Sequence, residues 1–299
     1  METRTFKGII AYPITPFTKE EAVDIPLFKK LVERLIVQQA DAIAPLGSTG
    51  VLPYLNQAEK KAIVKATIEQ VNGRVPVLVG VSNLTTAETI QDAQSAEQMG
   101  ADAVMIIPMS YWKLTEREIY HHYQMVSKTI NIPIMAYNNP ATGGVDMPPA
   151  LLQRLLDLPN VTMIKESTGD IQRMHYLKKE LGEKVDFFNG SNPLALGAFV
   201  AGAAGWCTAA PNLIPTLNTA LYQAIKKQDW STAQNIFYQQ VDVLKFIVEK
   251  GLPRAVQAGL EILGEDGGYL RSPLQPLSDT EKKELKQLLD QALATSLSS

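Results

Sequence analysis

The side chains of this sequence best suited to covalent chemistry are a lysine closing an apolar run, a tyrosine closing another, and two adjacent hydroxyls. Residues 161–167 read Val161-Thr162-Met163-Ile164-Lys165-Glu166-Ser167, and period-two alternation sets Val161, Met163 and Lys165 on one face of a strand. Solvation is poor at the end of such a run. Desolvation lowers the pKa of a lysine, and a neutral amine attacks a ketone to form an imine. The alternative is a structural lysine paired with Glu166 or Asp170. Residues 134–140 end in Tyr137, Asn138, Asn139 and Pro140, which brings a phenol to the same rim. That phenol is either a packed aromatic or a proton relay, since imine formation moves protons onto and off a carbinolamine oxygen. A third run closes with Gly47-Ser48-Thr49-Gly50, where two hydroxyls and open amides suit a carboxylate or form an ordinary turn.

Other chemistries find less support. The three histidines are His121, His122 and His175; the first two are adjacent on an expected helix, and no ligand spacing accompanies them, so a surface location is expected and no metal site. No G-x-S-x-G elbow marks a serine hydrolase. The single cysteine, Cys207, excludes an internal disulfide; it reads as a small buried residue that an eighth strand could set against a ligand.

The elements that must position these groups form a regular series. Eight β-rich stretches, at residues 8–15, 41–47, 75–82, 101–108, 132–139, 161–167, 185–191 and 204–210, alternate with helix-like stretches such as 57–71 and 87–99. Asn56, and Thr115 with Glu118 three places on, read as helix caps. Eight such units favour an α/β fold closed as a (β/α)₈ TIM barrel over an open doubly wound sheet, whose G-x-G-x-x-G is missing after the first strand. Beyond residue 210 the β signal stops. Residues 214–226, 231–249 and 280–293 read as helices, giving a catalytic barrel over 1–227 and a C-terminal helical extension over 228–299 of the same unit. The 299 residues, 45% of them hydrophobic, can supply that barrel with a full core. A net charge of -3 argues against nucleic acid or an anionic membrane as partner. Residues 1–6 lack the apolar core of a secretory signal and no apolar run nears ~20 residues, so a cytoplasmic protein is expected.

In barrels of this kind the strand C-termini carry the chemistry, and there the sequence becomes recognisable. Residues 8–17 (GIIAYPITPF), 47–50 (GSTG), 137–140 (YNNP), 164–169 (IKESTG), 188–191 (FNGS) and 271–278 (RSPLQPLS) together resemble the dihydrodipicolinate synthase and N-acetylneuraminate lyase family, in order and over essentially the whole chain. The resemblance implies a Schiff-base lyase without a cofactor. Lys165 would hold a pyruvate-type imine, Tyr137 would be the acid/base, and Ser48 and Thr49 would bind the carboxylate and relay protons. It also implies a homotetramer in which a tyrosine from a neighbouring copy, matched here by Tyr111, completes the relay.

The substrate reading turns on departures from the family pattern. Dihydrodipicolinate synthases carry an arginine two residues after the proline of Y-N-x-P, where it holds a dicarboxylic substrate; here that residue is Thr142, which cannot make a bidentate, charge-assisted contact. The acidic pair usual after the glycine of the seventh strand is absent, Gly190 being followed by Ser191 and Asn192, and the glutamate usual after the hydroxyl turn is Val51. A neutral rim of Thr142, Ser167, Ser191 and Asn192, with Gly190 and Cys207 nearby, suits hydroxyls better than a second carboxylate. The expected substrate is thus pyruvate or a 2-oxo-3-deoxy sugar acid, cleaved, condensed or dehydrated. The alternative is the 4-hydroxy-tetrahydrodipicolinate synthase reaction of pyruvate with aspartate semialdehyde.

Overall fold

Each β-rich stretch holds a short strand: β1 Gly8–Ala11, β2 Ala42–Ile43, β3 Leu78–Gly80, β4 Ala103–Ile106, β5 Ile134–Asn138, β6 Val161–Glu166, β7 Asp186–Asn189 and β8 Gly205–Thr208. The computed structural model describes residues 5–182 and 185–294, so the first and last residues of the stretches expected over 1–227 and 228–299, and most of the 1–6 segment, lie outside the described residues. Every ladder is parallel, in the order β2-β1-β8-β7-β6-β5-β4-β3. A parallel bridge between Ile43 and Val77 joins the two ends of that order. Hydrogen bonds from Ile43 N to Pro76 O (3.0 Å) and from Gly80 N to Pro45 O (3.1 Å) complete the seam and close the barrel. The strands stop short of the expected stretches for local reasons. Pro13 has no N–H to extend β1, and Leu46 turns into the left-handed region (φ 59°) directly after Pro45.

Helices interleave with the strands: α1 Ile25–Val37, α2 Gln57–Val71, α3 Thr86–Met99, α4 Glu116–Ser127, the single turn α5 Pro140–Gly143, α6 Pro149–Leu155, α7 Ile171–Leu181 and α8 Ala195–Val200. Both anticipated caps form full capping boxes, Asn56 with Glu59 and Thr115 with Glu118. Then come α9 Pro215–Lys226, α10 Trp230–Glu249, α11 Leu252–Ile262 and α12 Asp279–Ala294.

One register differs from simple alternation. Ile134 pairs with Val161 but Met135 pairs with Met163, so β6 carries an extra residue at Val161–Thr162. Met163 therefore joins the barrel interior with Ile10, Met105, Met135, Phe188 and Cys207, whereas Val161 packs outside with Ile164 and Phe187 under the helices. The expectation that Val161 shares the face of Lys165 is corrected by this bulge. A further apolar cluster joins Ile9 and Trp206 of the sheet to Leu221, Leu244, Val256 and Leu285 of the C-terminal helices, so the extension packs directly on the β1–β8 side. Arg271, in the segment that leads into α12, also ties back to the start of α2 and the turn before it, bonding Glu59 Oε1 at 2.5 Å and Tyr54 O at 2.8 Å.

Candidate active site

The groups with chemical potential meet at the C-terminal rim of the strands, around a cavity of about 360 Å³. Lys165 rises from β6 at the cavity floor and is only 5% exposed. Its Nζ lies 3.8 Å from the ring centre of Tyr137, its ladder neighbour on β5, and 4.3 Å from that of Tyr12, just beyond β1. Two aromatic faces thus hold the ammonium where a carboxylate would otherwise be needed.

The structural-lysine alternative loses its partners. Glu166 is fully buried on the opposite face, ion-paired to Arg173 Nε (Oε2, 3.2 Å), accepting from Asn138 Nδ2 (3.1 Å), and accepting on Oε1 from the Thr168 amide (2.7 Å). Asp170 instead caps α7 by accepting from Gln172 N at 2.9 Å. Among the described residues no carboxylate pairs with Lys165. The bond from Gly190 N to Glu166 O (2.8 Å) draws the β7 turn against β6. A Cβ built on Gly190 would fall 1.8 Å from Ser167 Oγ and 2.7 Å from Lys165 Cε, so only glycine leaves the amine its place.

Tyr137 is buried with its hydroxyl at the same point. Burial pushes its pKa up, but the Lys165 ammonium, the Asn139 hydrogen bond and the nearby Ser48 and Ser167 hydroxyls outweigh this and leave it below the ordinary phenol value. The Asn139 Nδ2–Tyr137 Oη bond is 2.8 Å long, whereas Ser167 Oγ, though near the phenol, makes no hydrogen bond of ordinary geometry and faces the cavity unpaired. Tyr12 shows the opposite behaviour. Burial first, then the neighbouring Cys207, pushes its pKa well up, so it stays a neutral phenol. Cys207 is likewise pushed up by burial, against the lowering effect of Lys165 and Tyr12, and is a neutral thiol in the wall.

Ser48 and Thr49 face this pair from the turn after β2, half-buried and buried respectively. Leu46 (φ 59°) and Val51 (φ 49°) bracket the turn in the left-handed region, an unfavourable state for a β-branched residue such as Val51. A Cβ on Gly47 would come within 2.4 Å of the Tyr12 ring, so the turn rests directly on the ring that holds Lys165. Thr142, Ser167, Gly190, Ser191, Asn192 and Cys207 all line the cavity. The Asn192 carbonyl is already engaged by Thr208 Oγ1 (2.8 Å) and Trp206 Nε1 (3.2 Å). An apolar chamber of about 260 Å³, walled by Val51, Leu52, Met105 and Ile107, adjoins the cavity through Ser48, Tyr137 and Thr142.

Tyr111 is not brought to this site. It stands 89% exposed after β4, edge-on to the exposed Trp112, and is absent from the wall of its own chain's cavity. Of the histidines, His122 is half-buried rather than on the surface; burial, with His121 beside it, depresses its pKa to about 4, and it bonds Thr86 Oγ1 at 2.9 Å, away from the cavity. Among the described residues no group of three His, Cys, Asp or Glu could hold a metal ion, and no helix is long and apolar enough to cross a membrane.

Three contributors carry no role in the sequence reading. Tyr12 sits two residues after Ile10 on the inward face, so alternation alone could have found it. Asn139 precedes Pro140 with Thr142 three places on, a helix-cap signature. Val248, Gly251, Leu252 and Pro253, where α10 passes into α11, close the outer wall, and no local signal in them points to a site.

A family model described as the dihydrodipicolinate synthetase family matches residues 5–292. The chain is 33% identical over 288 residues to the 4-hydroxy-tetrahydrodipicolinate synthase of Bartonella henselae, covering 96% of this chain and 97% of that one. It is 31% identical over 284 residues to the enzyme of the same name from Syntrophotalea carbinolica, covering 95% and 97%. Among solved structures, a putative dihydrodipicolinate synthetase from Pseudomonas aeruginosa superposes with a TM-score of 0.94 at 51% identity, covering 96% of this chain and all of that one. Dihydrodipicolinate synthase from Aquifex aeolicus does so at 0.91 and 29%, covering 95% and 97%.

Proposed function

The chain belongs to the dihydrodipicolinate synthetase family, and on that premise we propose that it is a lyase holding pyruvate, or a hydroxylated 2-oxo acid that yields pyruvate, as an imine on Lys165. The observation that carries this is the lysine itself, buried at a cavity floor against two tyrosine faces with no carboxylate partner among the described residues. With its pKa lowered, Tyr137 can lose its proton, and the phenolate takes up the proton that the ammonium sheds before attack, becoming the phenol again. The amine then adds to the ketone, and Tyr137 delivers the proton with which the carbinolamine oxygen leaves as water. Ser48 and Thr49 hold the carboxylate of the 2-oxo acid. Once formed, the imine withdraws electrons from the neighbouring carbon, so a carbon–carbon bond there can form or break, or a hydroxyl beyond it can leave.

For the second half of the substrate, the neutral rim of Thr142, Ser167 and Ser191 favours hydroxyls, as in a 2-oxo-3-deoxy sugar acid. The names of the relatives favour the other reading, condensation of pyruvate with aspartate semialdehyde. Both share the imine. On this reading the enzyme works in the cytoplasm as a homotetramer, and the exposed Tyr111 serves the site of a neighbouring copy. The test is reduction with borohydride in the presence of pyruvate. One reduced pyruvyl group is expected on Lys165 and none on Lys165→Ala; an adduct on another lysine, or none at saturating pyruvate, refutes the imine.

A further inference from the structure

Asn139 lies at the cavity wall with its carboxamide tied at both ends. Its Oδ1 accepts from Thr142 N (3.3 Å), an N–H shared with the Asn139 backbone O (3.2 Å), which makes it the side-chain cap of α5, and its Nδ2 lies 2.8 Å from Tyr137 Oη. A backbone N–H can only donate, so the carbonyl end must face Thr142 and the amino end must face the phenol. The cap thereby fixes which way round the amide sits. Pro140 at the first helical position and the bond from Gly143 N to Asn139 O (2.8 Å) hold the residue in place. The phenol oxygen is thus obliged to accept from Asn139, and its own proton must go to the other side, where Ser48, Ser167 and the Lys165 amine lie.

We propose that Asn139 is a positioning residue that locks the Tyr137 oxygen as a hydrogen-bond acceptor and so aims its proton at the reacting oxygen over Lys165. This deepens, and rests on, the reading that Tyr137 serves an imine on Lys165. An N–H donated to a phenol favours the phenolate, and thus adds to the effect of the ammonium on the same group. The other titratable groups around Tyr137 are Lys165 on β6, Tyr12 after β1 with Cys207 of β8 beside it, and Tyr123 of α4 behind the strand. Burial holds all three of the last named in their neutral forms, so none competes with Asn139 for the phenol's charge state.

The test separates the cap from the donation. In Asn139→Ser the hydroxyl can still cap α5 but is too short to reach the phenol, whereas Asn139→Asp keeps shape and cap and loses the donor. The Tyr137 phenol is titrated in the ligand-free protein by ultraviolet difference spectra, with Tyr137→Phe subtracted. Both variants should titrate at higher pH than wild type, Asn139→Asp further because of its charge. The pH limbs of turnover should move the same way, and kcat near neutral pH should fall about tenfold. If Asn139→Ser does not fold, the isosteric Asn139→Asp carries the test. A titration unchanged in a folded variant overturns the proposal. Because the titration needs no substrate, it can move even if borohydride finds no adduct on Lys165; that outcome would refute the imine and leave the hydrogen-bond lock standing.

Discussion

Gly190→Ala isolates a steric demand of the site that no other single methyl would test so directly. The added Cβ would fall 1.8 Å from Ser167 Oγ and 2.7 Å from Lys165 Cε. The serine hydroxyl has no hydrogen-bond partner and can rotate away, but its own Cβ, at 3.1 Å, stays close. The lysine must then withdraw, since carbon atoms prefer about 3.5–4.0 Å, which amounts to roughly 1 Å at Cε. The amine at the end of that side chain rests on two tyrosine rings, so a shift of Cε moves it off that seat. Misplacing a reacting group by ~1 Å costs on the order of 10²-fold in rate, and overpacking of this kind costs about 1–3 kcal/mol of stability. The assay is the rate at which borohydride traps the pyruvyl adduct, with thermal unfolding measured in parallel. A fall of about 10²-fold in trapping, with a melting temperature lower by only a few degrees, is expected. A folded variant that traps pyruvate within about twofold of wild type would show that Gly190 does not fix the amine.

Tyr137→Phe keeps the ring against Lys165 and deletes only the hydroxyl, so kcat should drop by about 10²–10⁴-fold while the protein stays folded; an unchanged kcat removes Tyr137 from proton transfer. Thr142→Arg should raise kcat/KM for aspartate semialdehyde by roughly 10–100-fold, the scale of one charge-assisted contact, and lower it for a neutral sugar acid. Wild-type condensation of the semialdehyde above ~10⁴ M⁻¹s⁻¹ would instead establish the synthase reading.

The barrel was legible because its information is periodic. Stretches of seven or eight residues bracketed by helical patterns held all eight strands, and α2 runs over the residues the periodicity marks, 57–71. Strand ends were not legible, because extended backbone continues past the last ladder bond: residues 12–15 remain buried after β1 has ended. The bulge at Val161–Thr162 escaped for a related reason, since an inserted residue leaves the composition of a strand unchanged. Helix α11 has no counterpart among the helices expected from the sequence; it lies between Gly251 and Gly264, with Pro253 in its first turn, where proline is tolerated. Lys165, Tyr137 and the Ser48–Thr49 turn could be found because strand ends converge in a barrel. Asn139 and the α10–α11 corner could not, since their parts depend on which atom meets which across the rim.

That corner governs when the enzyme can come into being. Val248, Gly251, Leu252 and Pro253 wall the cavity, yet they are made after every strand of the barrel. A ribosome adding about 5–20 residues per second releases Lys165 several seconds before Pro253. Through that interval the nascent chain holds Lys165 beside an unfinished pocket. Synthesis thus ends with the closing of the cavity, and a chain cut short before residue 248 would keep Lys165, Tyr137, Ser48 and Thr49 but lack the outer wall over them.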